Sequence, residues 1–134
     1  MNRSEQREAV FKMIFSQDYL EGEALKDVYE RLLQEQEIEE TEYIRSAFFG
    51  VIENKSELDS MVERFAKGWK LPRLSKVSLC IMRLSIYEMK SMSDVPFAVS
   101  INEAVEMAKK YDDDKAPKFV NGILNNAASG LGLK

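Results

Sequence analysis

Apolar residues recur at three- and four-residue intervals along almost the whole chain, and no stretch sustains period-two alternation, so the pattern predicts helices and no sheet. Seven amphipathic segments can be read. The first runs from about Ser4 to Tyr19, with Ser4 as its expected N-cap and Val10, Met13 and Ile14 on one face. The second, about Glu23 to Gln36, aligns Leu25, Val28, Tyr29 and Leu32. A third begins near Thr41, and Ser56 with Asp59 reads as a capping box for a fourth whose buried face runs from Leu58 to Trp69. The fifth, about Ser75 to Lys90, is apolar nearly all round, as a central helix touched from several sides would be. Ser100 and Glu103 form an S-x-x-E box ahead of the sixth, and Pro117 and Gly130 bracket the seventh.

These elements predict an all-α fold, a compact bundle of about seven helices spanning 1–134 as one domain. Gly68 and Pro72 punctuate the middle, which suggests two packed helical subdomains, about 1–70 and 71–134. The charge changes sign there too. Residues 1–67 hold 9 basic and 16 acidic side chains, residues 68–134 hold 10 and 7, and the whole chain carries a net charge of −4.

The chain has no histidine and one cysteine, which removes Ser-His-Asp and Cys-His catalysis and leaves structural zinc without ligands. No catalytic residues, metal or cofactor are expected. Cys80 lies within an apolar run and is expected in the core. No run approaches the ~20 apolar residues of a membrane span, and the polar N-terminus lacks a signal peptide's apolar region, so the expected location is the cytoplasm.

An acidic total does not exclude RNA binding, because phosphates respond to charge within a Debye length of ~10 Å. Two basic groups stand out: Arg3 with Arg7, four apart on one helix face, and Lys109, Lys110, Lys115 and Lys118 around the last two helices. Two guanidiniums so spaced can straddle adjacent phosphates, although such a pair also serves simply to keep a helix soluble. Phe11 and Phe15 make the first helix apolar over much of its circumference, hence buried on two sides or open to a partner. Asn121 and Asn125 lie beside Lys118, where their amides can read base edges or cap backbone.

The second half carries a resemblance. Leu71-Pro-Arg-Leu, the stretch Ile81-Met-Arg83-Leu-Ser-Ile-Tyr87-Glu88, Asp94-Val-Pro96, Ile101-Asn-Glu103-Ala and Lys118-Phe-Val-Asn121-Gly122 are similar, in order and spacing, to the transcription antitermination factor family NusB. Arg7-Glu8-Ala9 matches in the first half. The resemblance implies binding of boxA-type single-stranded RNA together with the ribosomal protein NusE, acting indirectly on the RNA polymerase elongation complex, chiefly in ribosomal RNA operons. It nominates Arg3, Arg7, Lys118 and Asn121, with the nearby Lys115, for RNA, and Phe15, Phe11 and Glu88 for the protein partner. Two other readings compete: a protein interaction module with weakened RNA binding, and a relative of the helical RNA-binding domain of ribosomal RNA cytosine methyltransferases. Glu103 is expected to cap its helix, and Arg83 and Glu88 are expected to pair internally.

Overall fold

The structure, a computed structural model, describes residues 1–67 and 74–134. The helices are α1 (Arg3–Gln17), α2 (Leu25–Glu35), α3 (Glu42–Glu53), α4 (Lys55–Phe65), α5 (Lys76–Ser91), α6 (Phe97–Tyr111) and α7 (Ala116–Gly130), with no strand among the described residues. Gly68, Trp69 and Pro72 lie outside the described residues.

Helix α5 is the hub: it packs against α1, α3, α4, α6 and α7 and is buried without interruption from Ser78 to Ile86. This agrees with its all-round apolar sequence. Phe48, Met13, Ile14, Ile44 and Leu58 are fully enclosed around it, each worth about 1.5–3 kcal/mol of burial. Gly50 lets α3 approach α5 closely, because a Cβ there would land on the Tyr87 ring. Cys80 is a core residue, and burial pushes its thiol up to about 11.

Several helix starts differ from the pattern, each for a local reason. Asn2, not Ser4, caps α1: its side chain accepts from the Glu5 amide while Glu5 accepts from the Asn2 amide at 2.8 Å, a complete capping box. Helix α4 begins at Lys55 without a side-chain cap, and Asp59 instead accepts from Arg83 at 2.6 and 3.0 Å. Helix α6 starts three residues before Ser100, directly after Pro96, so neither Ser100 nor Glu103 caps it. Thr41 and Ser75 do cap α3 and α5, accepting from the amides of Ile44 and Ser78.

Candidate RNA interface

Ser100 joins α6 to α5 and Glu103 joins it to α1, rather than either capping its own backbone. Ser100 Oγ donates to Glu88 at 2.8 Å, and Glu103 accepts from Arg7 Nη1 at 2.9 Å and from the Ser4 hydroxyl. Arg7 reaches Glu88 as well, its Nε at 2.9 Å and its Nη2 at 2.9 Å from Oε2. Tyr43 Oη completes the cluster, donating to Glu88 at 2.8 Å. One carboxylate thus receives bonds from α1, α3 and α6 inside the protein, and nearly every lone pair is used.

The expectation that Arg3 and Arg7 present two guanidiniums to adjacent phosphates is corrected by this geometry. Arg7 is 2% exposed and saturated by two carboxylates. Burial opposes its charge, yet the field of Glu88, the Tyr43 oxygen and Glu103 carries its pKa above the ordinary arginine value. Glu88, nominated for a partner surface, is itself 0% exposed. Arg83 and Glu88 do pair internally, but not with one another: Arg83 bonds Asp59 and Asp18, and Glu88 bonds Arg7.

The remaining nominated residues lie on the surface. Arg3 is exposed, its guanidinium 4.4 Å from the centroid of the Tyr43 ring, a cation–π position that orients it without neutralising it. Lys115 and Lys118 are exposed at the start of α7, and no ion pair among the described residues engages either of them or Arg3. Asn121 is exposed one turn beyond Lys118. Lys110 is a cation of another kind, because Glu8 accepts from it at 2.7 Å and also from the Tyr111 hydroxyl. Burial pushes the Glu8 carboxyl up, but those two bonds outweigh it and hold it below the ordinary value.

Helix α6 ties the two ends together. Ser4, next to Arg3, bonds Glu103, while Glu8 bonds Lys110 seven residues further along α6, a distance of ~10 Å at 1.5 Å per residue. The chain then turns through 112–115, where Asp113 accepts from the Lys115 and Ala116 amides at 3.0 Å, and enters α7. The exposed, unpaired cations thus stand at the N-terminal end of α1, where Arg3 leans over Tyr43 of α3, and at the start of α7, where Lys115 and Lys118 follow the 112–115 turn.

A second feature lies on the other flank of α1. Phe11 is buried, its ring 5.2 Å from Tyr111 and 6.4 Å from Phe15, and Phe15 is half-buried and 5.6 Å from Tyr19. Phe11, Phe15, Leu32, Val77 and Tyr111 line a largely apolar groove of about 480 Å³ between α1, α2 and α5. The aromatic row continues to Tyr19, which is 70% exposed and which the periodicity of the first helix did not single out. Among the described residues no helix is long and apolar enough to cross a membrane.

Seven helices among the described residues, with unpaired surface cations on α1 and α7 and an apolar groove lined by α1, α2 and α5, make the frame of a binding protein. The family model for the NusB family matches residues 4–129, and the chain belongs to that family. The transcription antitermination protein NusB of Acetivibrio thermocellus is 42% identical over 126 residues, covering 92% of this chain and 86% of the relative. That of Bacillus pumilus is 41% identical over 131 residues, covering 98% of each. Among solved structures, T. maritima NusB superposes with a TM-score of 0.86 at 37% identity, covering 96% of this chain and 92% of that one. A crystal structure of the antitermination factors NusB and NusE in complex with dsRNA gives a TM-score of 0.82 at 26% identity, over 97% and 99%.

Proposed function

We propose that this chain is a non-enzymatic, cytoplasmic transcription antitermination factor that binds boxA-type single-stranded RNA together with ribosomal protein NusE, and through that complex modifies elongation by RNA polymerase, chiefly in ribosomal RNA operons. The observation that carries the reading is the set of exposed, unpaired cations Arg3 on α1 and Lys115 and Lys118 at the start of α7, on a fold shared with a NusB solved with NusE and RNA. Arg3, Lys115 and Lys118 meet phosphates, and Asn121 faces the strand beside them. Arg7 serves the RNA indirectly, by seating α1 against α6. The apolar groove at Phe11 and Phe15 suits the protein partner, because an aromatic row edged by polar side chains gives docking area without catalytic chemistry.

A salt titration of boxA-type RNA binding tests this. Three phosphate contacts predict a log–log slope of about −2 for a single strand, and adding NusE should tighten binding. Absence of binding with or without NusE overturns the proposal. Retention of NusE with no RNA binding favours the protein interaction module, for which the groove is the supporting feature.

A further inference from the structure

The groove between α6 and α7 carries a side-chain set that phosphate binding leaves unused. Phe97, Ile101 and Val105 recur every four residues along α6 and form one wall, while Asn121 and Asn125 stand on α7, with Asn102 at the rim; the slot measures about 260 Å³. No carboxylate lines it, in contrast to the polar cleft beside Arg3, where Glu42 and Asp94 face inward.

The three carboxamides are not equally occupied. Asn125 Nδ2 donates to the Asn121 carbonyl at 2.8 Å and to Asn121 Oδ1 at 3.2 Å, and Asn125 Oδ1 accepts from Lys134 Nζ at 2.8 Å. Asn125 is thus spent on structure, and its effect is to fix the rotamer of Asn121 with Nδ2 left over. Asn102 is exposed, and no hydrogen bond to its carboxamide occurs among the described residues. Lys118 lies three residues before Asn121, one turn earlier on the same face of α7, and is exposed.

We infer that this slot is a base-reading site that takes one adenine of the bound RNA strand. A free carboxamide presents an acceptor and a donor side by side, which pairs with the N6 amino group and N7 of adenine; guanine offers two acceptors on that edge and does not match. Asn102 makes that bidentate contact, Asn121 Nδ2 supplies one further donor, the Phe97 ring gives the base an apolar surface, and Lys118 holds the adjoining phosphate. The inference rests on the RNA-binding reading above and adds to it a base preference and the residue that reads it.

The test uses the full chain and short oligouridylates carrying one adenosine at each position in turn. One position should bind about tenfold more tightly than uridine, and 7-deazaadenosine, which lacks N7, should abolish the gain. Asn102→Ala should remove the preference while leaving affinity for the all-uridine strand and its salt slope unchanged. Binding with no preferred position, or a preference that survives Asn102→Ala, overturns the site. Adenosine monophosphate, followed by NMR at the asparagine side-chain amides, separates the two claims. Shifts at Asn102 and Asn121 larger than those with uridine monophosphate, but no oligomer binding, keep the site and sink the RNA reading; oligomer binding without those shifts sinks the site alone, and absence of both shifts and oligomer binding sinks both.

Discussion

Truncating Arg7 to alanine removes the cation from a carboxylate that the solvent does not reach. Glu88 keeps its bonds from Tyr43 and Ser100, at 2.8 Å each, but loses both of the arms that neutralise it. Breaking a buried pair on one side costs about 3–5 kcal/mol, most of it the burden of a stranded charge rather than the worth of the pair. Glu103, partly exposed, recovers water and adds little. For a chain of this length the loss corresponds to a fall in melting temperature of roughly 10–20 °C, read by calorimetry or circular dichroism. Arg7→Met combined with Glu88→Gln removes charge from both sides and keeps an acceptor for Tyr43 and Ser100, so it should regain much of the stability that Arg7→Ala loses. RNA binding at a temperature where the variant stays folded supplies the second readout: affinity drops as α1 loosens, and the salt slope stays that of wild type. An unchanged melting temperature together with a slope reduced by about 0.7 would refute this reasoning, because that pattern belongs to a guanidinium on a phosphate.

Other outcomes follow from the same packing. Arg3→Ala should leave the melting temperature unchanged and reduce the salt slope by about 0.7, since its guanidinium is exposed and unpaired. Burial pushes the Asp18 carboxyl up, but Lys55 at 2.5 Å, Lys76 at 2.8 Å and Arg83 at 3.3 Å more than reverse it and hold its pKa below 3.8. A depressed carboxyl stabilises the fold above its unfolded value and loses that contribution as the pH falls through the folded one, so the stability gap between wild type and Asp18→Asn should narrow below about pH 3.8 in acid titrations of the unfolding free energy. Gly50→Ala should destabilise by about 1–3 kcal/mol in denaturant unfolding, as its methyl displaces the Tyr87 ring. Phe15→Asp should leave binding of RNA alone intact and abolish the gain on adding NusE, which a two-component titration measures.

The helices were legible because a 3.6-residue period needs only local information, and α5 was legible as the hub because no polar face interrupts it. Arg7 was not, because its spacing from Arg3 says nothing about which side of the helix faces the core. A signal was present nonetheless: Arg7 stands three residues before Val10 and seven before Ile14, in register with the buried stripe. Glu88 shows the same sign, four and seven residues after Leu84 and Ile81. A charge in register with an apolar stripe points to a partner across the core, and the identity of that partner is set by tertiary packing. Ser100 and Glu103 matched a capping motif by spacing alone, and Pro96 had already set the start of the helix. Lys115 and Lys118, nominated for RNA backbone contact, stand on the surface where such contact is open to them.

The bonds of Arg7 also order events during synthesis. Its partners lie 81 and 96 residues downstream, so the opening helix leaves the ribosome with nothing to receive its guanidinium. At about 5–20 residues per second, translation takes on the order of 5–20 s to deliver both carboxylates. Through that interval α1 has α2 and α3 to pack against but no carboxylate for its buried guanidinium, so the locking of Arg7 into the bundle is a late step that only a nearly finished polypeptide can take.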